Sequence, residues 1–193
     1  MTSVALISDD AVARAGRIRL VAFDVDGTLT DGGLYFSGTG DAFKRFSVRD
    51  GYGLNLLRQT GLKIAIVTGR ESDIVTRRGA DLKFDAVVQG SPDKHQAMQQ
   101  LCQRFGLTLA QTAFMGDDWP DLPALVNVGL AAAVHNASPE VLRAAHWVGT
   151  VAPGHGAVRE FCEWLLEAQG RLAELRERHS GRGDLPASPR GAT

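Results

Sequence analysis

Cysteine is scarce in this sequence, and the two that occur do not form a metal or redox motif. Among 193 residues only Cys102 and Cys162 are cysteines, and neither belongs to a C-x-x-C pair or to a Cys/His cluster at zinc-ligand spacing. This pattern excludes a thiolate zinc site. It predicts two buried free thiols in a protein of a reducing compartment.

The sequence also lacks an excess of charge of either sign. Its 21 basic and 22 acidic residues give a net charge of −1, so broad electrostatic attraction to a nucleic acid or a membrane surface is not expected. No apolar run reaches transmembrane length, and the first residues lack the apolar core of a signal peptide. We therefore expect a cytoplasmic protein with no nucleic-acid or membrane partner, in which any bound anion is held locally.

Short apolar runs alternate with helical patterns from residue 18 to about residue 169, which is typical of βα units that build a parallel sheet. The length allows one well-buried domain, and we assign it to residues 1–170. We expect a Rossmann-like α/β fold, with a parallel sheet flanked by helices. The predicted strands are 18–23, 64–67, 86–88, 113–115, 130–134 and an edge strand at 147–151.

Helix start and stop signals separate these strands. Asp50 is the predicted cap of a helix that ends at Gly61, and Ser91 of a helix that has Pro92 in its first turn and is closed by Gly106. Ser138 precedes another helix. A longer helix after Gly156 has one apolar face, made of Val158, Phe161, Cys162, Leu165 and Leu166.

Two segments depart from the βα pattern. Apolar runs on both sides of a Gly-rich turn predict a β-hairpin at about 33–48, which we expect to act as a flap and to pack on a partner subunit. Residues 171–193 become rich in charge and then in Gly, Pro and Ser, a composition that predicts a mobile C-terminal tail.

The main strands end in polar residues of particular types: Asp24 and Asp26 after the first, Thr68 after the second and Asp117 after the fourth, with Lys94 near a helix start. The carboxyl ends of parallel strands lie along one edge, so these side chains should converge. A carboxylate nucleophile, carboxylate ligands for Mg²⁺ and donors for phosphoryl oxygens are what phosphoryl transfer through an aspartyl-phosphate requires. Of the four lysines, Lys94 is the one that we expect to take part.

Each signal has an ordinary alternative when taken alone. An Asp at a strand end is often a cap, Thr68-Gly69 is a common turn, and Asp118 or Asp121 can cap a short helix. A phospho-receiver or binding module also gathers acids, a Thr and a Lys at a sheet edge, and a non-catalytic assembly protein is a third possibility. Asp26 favours an enzyme, because a general base beside a long-lived aspartyl-phosphate would shorten its life.

In the order in which they occur, these residues resemble the four motifs of the haloacid dehalogenase (HAD) superfamily of phosphatases: Asp24-Val25-Asp26-Gly27-Thr28, Thr68, Lys94 and Gly116-Asp117-Asp118-x-x-Asp121. A closer resemblance, to the family of 3-deoxy-D-manno-octulosonate 8-phosphate phosphatases, covers about residues 10–170. It is carried by LTDG (29–32), FSVRDGYGL (46–54), TGRES (68–72), QGSPDK (89–94), GDDWPDLP (116–123) and GHGAVREFCEWLLEAQG (154–170).

The resemblance implies a HAD fold without a cap domain, a homotetramer, and Mg²⁺-dependent hydrolysis of a sugar-acid phosphate in lipopolysaccharide biosynthesis. Another sugar-acid phosphate, such as a nonulosonate 9-phosphate, stays an alternative substrate. Asp24 is the implied nucleophile and Asp26 the acid/base, with Thr68 and Lys94 completing the catalytic set and Asp118 and Asp121 supporting it. The implied Mg²⁺ ligands are Asp24, the Asp26 carbonyl and Asp117, and the implied substrate contacts are Asp26, Ser47, Val48, Arg49, Asp50, Gly51, Asn55, Arg70, Arg78 and Lys94.

Overall fold

The computed structural model describes residues 6–38 and 40–180. Within them the strands are β1 (Leu6–Ile7), β2 (Leu20–Phe23), β3 (Tyr35–Ser37), β4 (Gly40–Phe43), β5 (Lys63–Val67), β6 (Ala86–Val88), β7 (Thr112–Gly116), β8 (Leu130–Ala133) and β9 (Trp147–Val148). The α-helices are α1 (Ala11–Ala15), α2 (Val48–Gln59), α3 (Asp73–Asp81), α4 (Lys94–Phe105), α5 (Leu122–Leu125), α6 (Pro139–Ala144), α7 (Ala157–Ala168) and α8 (Leu172–Ser180). Short 3₁₀ helices cover Leu109–Gln111 and Trp119–Asp121.

The main sheet has the strand order β1-β9-β8-β7-β2-β5-β6, and every pair except β1–β9 is parallel. The chain therefore builds outward from β2 through β5 to β6, crosses back, and builds in the other direction through β7, β8 and β9. The order reverses beside β2, and the carboxyl ends of the strands next to such a switch point are where ligands bind in open α/β sheets. The predicted α/β Rossmann-like class is confirmed.

Helices cover both faces of this sheet. α1, α2 and α7 pack against one another on one face, while α4, α5 and α6 pack together on the other, as right-handed crossovers require. In the described part of the chain no helix has the length and apolar character needed to cross a bilayer. Because β2, β7 and β8 are buried along their whole length, they read as continuous apolar runs in the sequence.

An aromatic cluster fixes α7 against the strand that precedes Asp24. The Phe161 ring on α7 lies 6.5 Å from the Phe23 ring at the end of β2 and 5.0 Å from the Trp147 ring on β9. The predicted apolar face of α7 is buried as a set: Val158, Phe161, Cys162, Leu165 and Leu166. Tight packing under the end of β2 leaves the Asp24–Thr28 segment little freedom to shift.

Several expected boundaries are corrected by the structure. α2 begins at Val48 rather than after Asp50, because the extended residue Ser47 accepts hydrogen bonds from the N–H groups of Arg49 and Asp50. In the same way Asp93, not Ser91, caps α4 through the N–H of Gln96. β9 is shorter than predicted and is not an edge strand, since β1 pairs with its outer side.

The hairpin formed by β3 and β4 stands apart from the main sheet. The rings of Tyr35 and Phe43 stack across it with their centroids 4.2 Å apart. At its base, an antiparallel bridge joins Thr30 to Phe46, and Arg45 donates to the carbonyl of Gly154. Four apolar side chains of this segment are exposed: Leu34, Tyr35, Phe36 and Phe43.

The chain beyond Gly170 differs from the expected tail over its first residues. Leu172–Ser180 form α8, and Leu172 and Leu175 are buried, so this segment adds a helix beside α7. The Tyr52 and His179 rings meet edge to face at 5.8 Å, which joins α8 to α2 as well. The rest of the predicted tail, 181–193, lies outside the described residues.

Candidate active site

A cavity of about 180 Å³ opens at the carboxyl ends of β2, β5 and β7, at the switch point of the sheet. β2 and β5 deliver Asp24, Asp26 and Thr68 to the cavity wall, and Asp117, which follows β7, lies beside Asp24. The residues around the cavity are Asp24, Asp26, Thr68, Gly69, Arg70, Ser91, Pro92, Lys94 and Pro120.

Lys94 forms the centre of a buried charge cluster. Its Nζ donates to Asp24 Oδ1 at 2.6 Å and to Asp121 Oδ1 at 2.5 Å, and all three residues are at most 7 % exposed. The other oxygen of Asp121 accepts the backbone N–H groups of Asp117 and Asp118, at 2.9 and 3.2 Å. Asp121 therefore holds Lys94 and the end of β7 in position with both of its oxygens.

Asp117 is brought against the first motif by a close backbone approach. Thr28 Oγ1 donates to Asp117 Oδ1 at 3.1 Å, and Gly27 adopts φ +95° beside the same carboxylate. A Cβ atom on Gly27 would lie 2.2 Å from Asp117 Oδ2, so only glycine satisfies both the conformation and the space.

Burial and the charges of neighbouring carboxylates raise the pKa values of two carboxyl groups in this cluster. Burial, with the negative charge of Asp121 adding to it, raises the pKa of Asp24 to about 6. Burial and the charges of Asp24 and Asp121 raise the pKa of Asp117 to about 7. Burial alone would lower the pKa of Lys94, but the carboxylates of Asp24 and Asp121 outweigh it and raise that pKa.

These residues fit a divalent cation. Carboxylate oxygens of Asp24, Asp117 and Asp121 lie within 4.8 Å of one another, and hard oxygen donors are those that Mg²⁺ prefers. Burial is the first cause of the raised pKa values of Asp24 and Asp117, and a cation held by these carboxylates would lower both. Because both Asp121 oxygens already accept hydrogen bonds, Asp24 and Asp117 are the carboxylates best able to hold the metal.

Thr68 lies directly after β5 and is 3 % exposed. Its backbone carbonyl accepts the N–H of Ser91, which ties the loop after β5 to the loop before α4. Its Oγ1 accepts the N–H of Arg70 at 3.4 Å. The hydroxyl is therefore fixed at the cavity wall, as a phosphoryl-oxygen donor has to be.

Asp26 faces the cavity two residues beyond Asp24, and the structure gives it a partner that sequence reasoning missed. The Nζ of Lys44, which follows β4 in the hairpin, donates to Asp26 Oδ1 at 2.5 Å, and the Lys44 side chain is 1 % exposed. Lys94 is therefore not the only lysine that the structure places beside a predicted site residue, and its expected part in the chemistry stays a prediction. The scarcity of lysine was the available signal, but nothing local indicates that Lys44 turns inward.

Two of the three arginines expected to contact substrate, Arg70 and Arg78, lie near the hairpin. Arg70 Nε is 3.7 Å from Asp26 Oδ2, and its guanidinium lies over the ring of Phe36 at 5.9 Å. Arg78 donates to the carbonyl of Ser47 at 3.5 Å and lies over the ring of Phe46. Arg70 therefore reaches the cavity, whereas Arg78 supports the start of α2.

The predicted substrate contacts on α2 are placed differently from one another. Val48 is 85 % exposed and Arg49 is exposed at the first turn, whereas Gly51 in the same turn is buried beside Arg78. Asn55 lies seven residues further along, a rise of about 10 Å from Val48. Asn55 is not among the described residues that line the cavity.

Asp50 is buried, and its carboxylate belongs to another helix. Its Oδ1 accepts the N–H of Arg159 at 2.8 Å in the first turn of α7. Burial raises the pKa of this carboxyl, partly offset by that hydrogen bond. The Asp50 carboxylate therefore joins α2 to the amino end of α7, and the expected substrate contact of this residue stays a prediction.

Comparison with known sequences places these features in a family. A family model for haloacid dehalogenase-like hydrolases matches residues 83–161. The chain is 40% identical over 170 residues to the 3-deoxy-D-manno-octulosonate 8-phosphate phosphatase KdsC of Escherichia coli K12, covering 88% of this chain and 90% of that protein.

Solved structures agree with the sequence comparison. A 3-deoxy-D-manno-octulosonate 8-phosphate phosphatase of Moraxella catarrhalis, in complex with magnesium, phosphate and KDO, superposes with a TM-score of 0.86 at 37% identity, over 89% of this chain and 98% of that one. The cobalt-bound deoxy-D-mannose-octulosonate 8-phosphate phosphatase of Haemophilus influenzae gives 0.83 at 38% identity, over 87% and 98%. The chain thus belongs to the KdsC family of 3-deoxy-D-manno-octulosonate 8-phosphate phosphatases, phosphoric monoester hydrolases of the haloacid dehalogenase-like group.

Proposed function

We propose that this chain hydrolyses 3-deoxy-D-manno-octulosonate 8-phosphate to 3-deoxy-D-manno-octulosonate and phosphate, with Mg²⁺ as cofactor. The observation that carries the proposal is the Asp24 carboxylate at the cavity, with Lys94 Nζ at 2.6 Å and Asp117 close by. The reaction named for the relatives supports the substrate. We place the activity in the cytoplasm, in lipopolysaccharide biosynthesis.

The first step forms an aspartyl-phosphate. An Asp24 oxygen attacks phosphorus, the bond from phosphorus to the sugar oxygen breaks, and the departing alkoxide takes a proton from the Asp26 carboxyl. Lys94 and Thr68 donate to the phosphoryl oxygens as their charge grows. Asp24, Asp117 and the Asp26 carbonyl would hold Mg²⁺, which would supply positive charge to offset the repulsion between the carboxylate and the phosphate.

In the second step water attacks the phosphorus of the aspartyl-phosphate. The water proton passes to the Asp26 carboxylate, the bond from phosphorus to Asp24 breaks, and inorganic phosphate leaves. Both groups are then ready for another turnover. Since Asp26 lies two residues from Asp24 and lines the same cavity, it is placed for both proton transfers.

We assign substrate recognition to residues around this cavity and at the start of α2. Arg70 lines the cavity and can donate two hydrogen bonds to a sugar carboxylate, and Arg49 is exposed at the first turn of α2. The proposed set also keeps Asp26, Ser47, Val48, Gly51, Arg78 and Lys94. Asp50 is retained only through its backbone, and Asn55 only for a sugar chain long enough to reach the second turn of α2.

A panel assay tests the substrate. Phosphate release is measured from 3-deoxy-D-manno-octulosonate 8-phosphate, a nonulosonate 9-phosphate and simple sugar phosphates, with Mg²⁺ and with EDTA. The octulosonate 8-phosphate should have the highest kcat/KM, and EDTA should abolish release. A higher kcat/KM for the nonulosonate phosphate would replace the proposed substrate, and stable labelling of the protein without phosphate release would support the phospho-receiver alternative.

We also propose a homotetramer in which the hairpin joins subunits. The apolar side chains of Leu34, Tyr35, Phe36 and Phe43 are each at least 40 % exposed on one ribbon, and such a patch is rarely left in water. Phe36→Asp should lower the mass measured by light scattering. Val126→Asp should not, because it also replaces an exposed apolar side chain with aspartate but lies outside the hairpin. A monomeric wild type at micromolar concentration would rule the tetramer out.

A further inference from the structure

The hairpin segment supplies a buried cation, Lys44, to Asp26, the proposed acid/base. A segment that only covered the cavity would not need this contact. The Lys44 side chain is 1 % exposed and its Nζ lies 2.5 Å from Asp26 Oδ1. A buried ammonium group destabilises the folded protein unless an opposite charge lies beside it, and the Asp26 carboxylate supplies that charge. Lys44 follows β4 directly, and Phe46 two residues later is bridged to Thr30, which anchors this stretch beside the first motif.

The two oxygens of Asp26 are in different environments. Oδ1 is taken by Lys44, which is not among the residues around the cavity. Oδ2 faces Arg70 at 3.7 Å, and Arg70 does line the cavity. The contact with Lys44 therefore turns Oδ2 toward the place where the leaving oxygen must lie.

We propose that Lys44 is a positioning residue that holds Asp26 through Oδ1, so that Oδ2 carries the proton given to the leaving group and later taken from water. This inference rests on the proposed acid/base role of Asp26. An ammonium N–H donates to Oδ1 whether Oδ2 is protonated or not, so the orientation survives both steps of the reaction. The position of the hairpin then controls proton transfer as well as access.

The test compares two leaving groups. A sugar alkoxide needs a proton as it departs, whereas p-nitrophenolate leaves without one, so only the first depends on Asp26 in the step that kcat/KM reports. Lys44→Met should lower kcat/KM for 3-deoxy-D-manno-octulosonate 8-phosphate by about 10- to 100-fold, and for p-nitrophenyl phosphate by no more than about threefold. A role in folding alone would lower both values by the same factor.

Two variants frame this result. Lys44→Arg keeps a buried cation with donors and should restore part of the selective loss. Lys63→Met removes a cation paired with Asp85 at 2.7 Å at the opposite end of β5, and should leave both kcat/KM values unchanged. If Lys44→Met does not fold by circular dichroism, Lys44→Gln repeats the comparison with a polar end in the same place.

Asp26→Asn separates this inference from the proposed function. A selective loss in Asp26→Asn with an equal loss for both substrates in Lys44→Met would overturn the role of Lys44 alone. An equal loss for both substrates in Asp26→Asn would overturn the acid/base mechanism itself. If the octulosonate phosphate is not hydrolysed by the wild type, glucose 6-phosphate serves as the alkyl substrate, and an unchanged ratio in Lys44→Met again overturns the inference.

Discussion

Lys94→Met removes the one cation shown between Asp24 and Asp121, and its effect on stability should depend on pH. The lysine is 5 % exposed and its Nζ contacts both carboxylates at 2.5–2.6 Å. Methionine has a similar length and no charge, so packing changes little. In EDTA, which keeps divalent cations away, the variant leaves the carboxylates uncompensated.

The size of the loss can be worked out from the charges. Removing one partner of a buried ion pair costs about 3–5 kcal/mol. The carboxylates can escape part of this cost by binding a proton. For a pKa of about 6 that step costs about 2.7 kcal/mol at pH 8, and it costs less in the variant, because Lys94 no longer lowers the pKa of Asp24. We expect a fall in the free energy of unfolding of about 3 kcal/mol at pH 8. For a domain of this size that is a fall in Tm of about 6–12 °C.

The sign of the pH effect follows from the raised pKa values. A carboxyl whose folded pKa is raised binds a proton more readily in the folded state, so its destabilising charge disappears as the pH falls below that pKa. At pH 5 Asp24 and Asp117 are then largely protonated in the folded protein. The loss in Lys94→Met should shrink to about 1 kcal/mol there.

Urea denaturation of wild type and variant at pH 8 and pH 5 makes the comparison. Lys63→Met is the control, because its exposed pair with Asp85 contributes at most about 1 kcal/mol and should show no such pH dependence. Equal losses at the two pH values, or no loss at pH 8, would refute the reasoning that charge repulsion in this cluster is what Lys94 relieves.

Two further predictions concern the surroundings of the site. Gly27→Ala should weaken Mg²⁺ binding at least about tenfold and cost about 1–3 kcal/mol, because the new Cβ meets Asp117 Oδ2 at 2.2 Å at a positive φ; isothermal titration that finds unchanged affinity would contradict this. Asp50→Asn keeps an acceptor for the Arg159 N–H while removing a buried charge whose pKa is raised, so Tm should rise at pH 7 and rise less near pH 4. Asp50→Ala should instead lower stability by about 1–2 kcal/mol, and a lower Tm in both variants would contradict the account.

Local pattern was enough to predict the elements that place the site. The strands before Asp24, Thr68 and Asp117 are short apolar runs, and a parallel sheet brings their carboxyl ends together. Gly106 was correctly expected to close α4, because it adopts the left-handed conformation that glycine favours. These features depend on neighbours in sequence or on the geometry of the sheet alone.

The rest depends on contacts between distant parts of the chain. Ser47 and Asp50 are both good caps by residue type, and only the packing of α2 on α7 shows that Asp50 is turned to Arg159. Lys44 sits in a hairpin whose alternation does not reveal which side chain enters the site. α8 has a charged composition that did not predict an ordered helix. Its two buried leucines, Leu172 and Leu175, are covered because α8 packs beside α2 and α7.

The central claim is that Asp24 becomes phosphorylated during turnover, and trapping that state tests it most directly. The wild type is mixed with 3-deoxy-D-manno-octulosonate 8-phosphate and Mg²⁺, quenched in acid within a turnover, digested and analysed by mass spectrometry. We predict a phosphoryl group on the peptide that contains Asp24, and neither this group nor phosphate release in Asp24→Asn. Continued phosphate release by Asp24→Asn, or phosphorylation at a different residue, would contradict the account.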